Sequence, residues 1–211
     1  MQRVFISAVG VLFFAVPASA QLLRCVENSP ERSGQPGCTV IADRPIASPP
    51  QPAVWHIDEF SSLADARQAA QPDGVAFEAF GSAWLYTIES DTSNHHGGTH
   101  RASVGPLPLR QGTPYSIQVL VAYFQPGNFS IVHTHSGPEA WWVLEGEQCL
   151  ETTKTGIRKR AGEGAIVEEG ETMRMVGIGN GPRRSLVLVL HDSNRPPATV
   201  VENPPPLKSC Q

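Results

Sequence analysis

From residue 75 to residue 192 the chain reads as strand after strand. The runs are VAFEAF (75–80), AWLYTIE (83–89), YSIQVLVAYF (115–124), FSIVHTH (129–135), AWWVLE (140–145), QCLET (148–152), GIRKR (156–160), AIVEE (165–169), TMRMV (172–176) and SLVLVLHD (185–192). Most are rich in β-branched and aromatic residues, and Gly or Pro stands in nearly every gap between them. So many short strands with almost no helix must stack as a sandwich or close into a barrel. No internal repeat divides the run, so one barrel is expected. The single helix signal is SSLADARQAA (61–70), where Ser62 can cap the first turn and Asp65 follows three residues later. Gln71-Pro72-Asp73-Gly74 ends it.

The two ends read differently. Residues 1–20 carry one basic residue, Arg3, then an apolar run, then Ala18-Ser19-Ala20. That is the pattern of a cleaved secretory signal, and the run is short for a membrane span. The mature chain then starts near Gln21 and is secreted or periplasmic, with no membrane segment after cleavage. Residues 21–53 are rich in Pro, Ser and Gly and read as an irregular arm, 54–192 as the barrel, and 193–211 as a proline-rich tail. Without Arg3 the mature chain has 15 basic and 20 acidic side chains, a net charge of −5, so no basic surface is expected to hold nucleic acid.

Four cysteines remain, Cys25, Cys38, Cys149 and Cys210, and an exported chain meets an oxidising compartment. Four cysteines allow three pairings, and spacing does not choose among them. Cys25–Cys38 would clip the polar loop CVENSPERSGQPGC, and Cys149–Cys210 would pin the tail to a core strand.

Chemistry concentrates in VHTHSGPEAWWVLEG (132–146). Residues two apart on a strand share a face, so His133 and His135 point the same way. Ser136-Gly137-Pro138 turns the chain, and Glu139 begins the returning strand beside the imidazoles. Two imidazoles and a carboxylate form a facial triad with open positions. It suits Fe(II), and also Mn, Zn or Ni with less discrimination. Trp141 shares the face of Glu139, and Trp142 faces the other way. His95, His96 and His100 lie in a long polar loop (90–108) with nothing periodic to fix them, and read as solvated.

The spacing Gly127, His133, His135, Glu139, Gly146 resembles the first signature motif of the cupin superfamily at every defining position. The second cupin motif is matched at Gly162 and Gly170. Glu168 stands at its proline, Met173 at its histidine and Gly177 at its asparagine. The resemblance covers about residues 115–191. It implies an all-β, double-stranded β-helix (jelly-roll) barrel with a metal bound by His133, His135 and Glu139. The usual fourth ligand is the histidine that Met173 replaces. A thioether suits copper(I) better than Fe(II) or Mn(II), and the bland alternative is that Met173 and Met175 fill the barrel. Cys149, His191 and His56 are the other residues that could supply a fourth ligand. Trp141 and Met175 are expected at the pocket for a small molecule. A homodimer through the outer sheet is implied by the resemblance alone.

Two function classes stay open. One is a metal-dependent enzyme acting on a small molecule, with catalytic groups beyond the ligands unknown. The other captures or senses a small ligand without turnover, with a degenerate metal site or no metal.

Overall fold

The computed structural model describes residues 22–23, 25–27, 35–70, 72, 74–90 and 97–210. The expected signal segment, His95 and His96 lie outside the described residues. In chain order the elements are β1 (Leu22–Leu23), β2 (Cys25–Glu27), β3 (Gly37–Pro45), β4 (Ala53–Phe60), α1 (Leu63–Ala69), β5 (Val75–Ala79), β6 (Ser82–Glu89), β7 (Thr99–Leu107), β8 (Tyr115–Phe124) and β9 (Phe129–Ser130). They continue as β10 (His133–His135), β11 (Glu139–Glu145), β12 (Glu147–Thr152), β13 (Gly156–Arg160), β14 (Gly164–Val167), β15 (Met173–Ile178), β16 (Arg183–Asp192) and β17 (Ala198–Val200).

The strands form three sheets. The central sheet runs β14-β11-β16-β8-β3-β2. The front sheet runs β1-β9-β15-β10-β17, with β12 joining β15 to β13. The flanking sheet runs β5-β6-β4-β7.

The central sheet is buried on both faces, and its alternation builds two cores. Leu186, Leu188 and Leu190 of β16, with Ile117, Val119 and Trp142, pack against Trp55, Ile57, Trp84 and Tyr86 of the flanking sheet. Val187 and Val189, with Leu120, Ala122, Phe124 and Trp141, turn the other way and meet Leu150, Met173 and Met175 of the front sheet. This second core fills the jelly-roll barrel formed by the central and front sheets. Helix α1 lies on the far face of the flanking sheet, where Ala66 packs with Ala83 and Leu85. Ser62 caps it by accepting from the Asp65 N–H at 3.1 Å.

Six strands, β1, β2, β3, β4, β7 and β17, lie where the sequence suggested none. β3 falls in the stretch read as an irregular arm, and pairs along its length with β8. β7 falls in the stretch read as a polar loop. Its Gly105 and Pro106 argue against a strand, but it pairs with β4 alone and sits at a sheet edge, where proline is tolerated. β17, in the proline-rich tail, pairs with β10, so the tail flanks the histidines. The flanking sheet covers the outward face of the central sheet.

Disulfides join Cys25 to Cys38 and Cys149 to Cys210. The first crosses the parallel β2–β3 pair, with Cys25 opposite Cys38. The second ties the tail to β12, and Lys208 bridges to Thr152 nearby.

Candidate metal centre and ligand cavity

β10 belongs to the front sheet and β11 to the central sheet, and the turn at Ser136–Pro138 carries the chain across. Gly137 is what lets this turn lie flat. A Cβ there would run into the Leu190 carbonyl of β16. The neighbouring backbone is locked to the same strand, with Leu190 N–H on Pro138 O at 3.0 Å and Asp192 N–H on Ser136 O at 3.1 Å. His133 and His135 thus approach from one sheet and Glu139 from the other.

All three are buried: both histidines are 9% exposed and Glu139 4%. His133 Nδ1 donates to Ile131 O at 2.8 Å, and His135 Nδ1 to Pro197 O at 2.6 Å. Each carbonyl fixes the ring and leaves Nε2 to face inward, the arrangement that metal-binding imidazoles use. The two Nε2 atoms stand 3.0 Å apart, and Glu139 Oε2 is 2.8 Å from His135 Nε2. The three donor atoms lie within 4.8 Å of one another. With ligand bonds of about 2.1 Å, neighbouring donors around an octahedral ion are about 3.0 Å apart and those around a tetrahedral ion about 3.4 Å. Two of the three pairs, His133–His135 and His135–Glu139, stand close to that octahedral edge.

The two rings differ in their electrostatics. Burial and the neighbouring His135 hold the His133 pKa below its ordinary 6.5. Burial also opposes charge on His135, but the Glu139 hydrogen bond and charge, with the Pro197 carbonyl, outweigh it and raise that pKa. His135 is therefore the ring that carries the extra proton, held between Glu139 and the lone pair of His133.

Met173 sits opposite His133 in the β10–β15 register and is fully buried in the apolar barrel core. Met175 lines the cavity, and its sulfur accepts from Gln148 Nε2 at 3.1 Å, while Gln148 Oε1 accepts from Ser185. Trp141 is fully buried in the same core but does not line the cavity. The other expected fourth ligands are engaged elsewhere. Cys149 is in a disulfide. His191 bonds Asp43 at 3.0 Å. His56 lies on β4 in the flanking sheet.

His100 is not in a solvated loop. It stands on β7, with Nδ1 2.9 Å from buried Asp58 and Nε2 3.0 Å from Ser103 Oγ. This resembles a nucleophilic triad, but the hydrogen-bond directions argue otherwise. His56 Nε2 faces the Ser90 carbonyl at 3.1 Å, so Nε2 donates, and His56 Nδ1 must accept the Ser103 proton at 3.0 Å. The Ser103 proton is thereby directed to His56 and not to His100, the ring that Asp58 orients.

The triad opens on a cavity of about 240 Å³ between the two barrel sheets. Its walls include Leu120, Ala122, Phe124, Val187 and Val189, with the Cys25–Cys38 disulfide at the margin. Sequence reasoning missed one lining residue, Arg183. It follows a Gly-Pro turn and precedes a second arginine, a context that reads as solvated. Instead Arg183 is 1% exposed at the start of β16, on the side that faces the barrel. Its guanidinium lies 4.2 Å from the centre of the Phe124 ring. Nε, Nη1 and Nη2 have no hydrogen-bond partner among the described residues. Burial lowers its pKa to about 9, with the charge of Glu139 opposing, so it is a cation at neutral pH. The one available sequence signal was the alternation of SLVLVL, which carried back two residues puts 183 on the barrel side with 185 and 187.

No family model and no curated protein matches the chain. Solved structures resemble part of it. An oxalate oxidase in complex with the substrate analogue glycolate is 20% identical, over 40% of this chain and 46% of that one, with a TM-score of 0.36. The chain thus spans about half the length of that enzyme. A protein with a double-stranded β-helix domain from Klebsiella pneumoniae is 20% identical, over 47% of this chain and 80% of that one, with a TM-score of 0.36. A cupin superfamily protein from Desulfitobacterium hafniense is 16% identical, over 41% of this chain and 74% of that one, with a TM-score of 0.34. The last two are described as a double-stranded β-helix protein and a cupin superfamily protein.

Proposed function

We propose that this protein binds a divalent transition metal through His133, His135 and Glu139 and takes a small molecule into the cavity beside it. The observation that carries the reading is the pair of imidazoles, each fixed at Nδ1 by a backbone carbonyl, with both Nε2 atoms and a carboxylate converging in a buried cavity. Such a cluster is costly to bury without a charge to gather around. Iron, manganese, zinc or nickel suits the donors. Once bound, the metal would supply a Lewis acid or an O2 site. The chain's own part is to set both tautomers, bring the three donors together and wall the cavity with apolar side chains.

Two disulfides support folding in an oxidising compartment, in keeping with secretion. No helix among the described residues is long and apolar enough to cross a membrane.

Capture of a ligand without turnover is the second reading. It is favoured by Met173, which sits in apolar packing where the motif resemblance expects a fourth ligand. The test of the metal reading is His133→Ala. The variant should stay folded, as judged by circular dichroism, and lose most of its bound metal. Equal metal in variant and wild type sinks the assignment. Substrate-dependent O2 uptake or product formation by the loaded protein separates an enzyme from a binder.

A further inference from the structure

We infer that Arg183 anchors a carboxylate on the small molecule that the cavity takes, so that the ligand is a monoanionic acid with an apolar body. This deepens the proposed function and rests on it.

The starting point is an unbalanced charge. A buried guanidinium normally has a carboxylate or a set of carbonyls around it, because removing it from water is costly. Arg183 has neither. The other polar groups at the cavity are taken. Gln118 donates to Asp43 at 2.8 Å. Ser130 donates to Ile131 O and accepts from Met175 N–H. Among the described residues Glu139 is the one acidic side chain lining the cavity, and its carboxylate is bonded to His135. A divalent metal would leave the cavity more positive still: one negative charge from Glu139 stands against the metal and Arg183. The missing component is an anion.

Geometry narrows its class. The Phe124 ring holds one face of the guanidinium, which leaves the N–H edges for a partner. A planar carboxylate fits that fork with two parallel hydrogen bonds. A phosphate would call for more donors, and no second cation and no helix start lines the cavity among the described residues. Leu120, Val187 and Val189 suit a hydrocarbon or aryl body. A carboxylate at Arg183 would bring that body alongside the metal triad, since both line one cavity.

The test is calorimetric binding of isobutyrate and phenylacetate, each against its amide, to wild type and to Arg183→Met. Inorganic phosphate is the control anion. Wild type should prefer each acid over its amide on the order of 10- to 100-fold, the worth of a hydrogen bond to a charged group. Arg183→Met should lose that preference and bind acid and amide alike. Its melting temperature should also rise, because an unpaired buried charge has been replaced by an apolar chain of similar length. A wild type that binds acid and amide equally, that prefers phosphate, or that binds neither overturns the proposal, and so does Arg183→Met with the acid preference intact. The wild-type comparison stands alone should the variant fail to fold. Metal content of the same samples keeps the two readings apart. A metal-free wild type that still prefers the acid removes the metal centre and leaves Arg183. A metal-loaded wild type without the preference removes the anchor and leaves the metal.

Discussion

The proton that His135 shares with Glu139 makes a pH-dependent stability effect that can be worked through. Consider Glu139→Gln in metal-free protein. Glutamine keeps the volume and one carbonyl oxygen at Oε, and removes the negative charge. Breaking a buried ion pair commonly costs about 3–5 kcal/mol when the survivor must stay charged. His135 has an escape, because it can release its proton. The loss is then nearer to one hydrogen bond to a charged group, about 1.5–3 kcal/mol. The sign follows from linkage. The folded-state pKa of His135 is raised above 6.5, so its stabilisation is fully present below 6.5 and disappears as pH rises through the folded value. His133 acts the other way, since its lowered pKa means that folded protein resists a second proton as pH falls below 6.5. In the variant that term loses the Glu139 attraction and, once His135 releases its proton, the His135 repulsion as well. Urea unfolding with a chelator, at about pH 6 and about pH 9, should show a wild-type advantage of roughly 1.5–3 kcal/mol at the lower pH and little at the higher. An advantage of the same size at both would refute the shared-proton account. So would an advantage that grows with pH.

Two further predictions concern what holds the site. Gly137→Ala should cost about 1–3 kcal/mol or more, the range for overpacking, because the new methyl meets the Leu190 backbone, which cannot swing aside. It should also lower metal content by displacing Glu139; thermal melts and elemental analysis read both, and wild-type values for each would show that the turn has slack. Cys149→Ala with Cys210→Ala should cost about 4 kcal/mol in the chain-entropy model, given a sequence separation of 61. The Cys25–Cys38 clip, with a separation of 13, should cost about 3 kcal/mol. Denaturant midpoints of the two double variants check the order, and a larger loss from the shorter loop would contradict it.

How much of this was legible in the sequence depends on whether a residue's environment is set locally. β8, β11 and β16 announce themselves because both faces of the central sheet are buried and their apolar runs are continuous. The His133, His135 and Glu139 convergence is legible for a related reason. One strand, one tight turn and the next strand supply all three, so alternation and a Gly-Pro turn nearly suffice. The disposition of Trp141 and Trp142 on opposite faces follows from the same alternation. What stayed hidden depends on distant partners. β3 is surrounded by Pro, Ser and Gly, and becomes a strand because β8 offers a free edge. β7 alternates weakly, carries Gly105 and Pro106, and is held by β4 alone. His100 reads as a loop residue until β7 sets it against Asp58. Arg183 is the extreme case, since its neighbour Arg184 reaches Glu145 at the surface while Arg183 turns into the barrel. Nothing in GPRRS distinguishes the two without the register of β16 against β8.

The central claim is that the convergent donors exist to hold a metal. The most direct measurement is elemental analysis of the wild-type protein, expressed from its full sequence and purified without a histidine tag or chelator. The account predicts close to one equivalent of iron, manganese, zinc or nickel per chain, absent from His133→Ala. A wild-type protein that carries no metal, and takes none up when each ion is supplied, would contradict it.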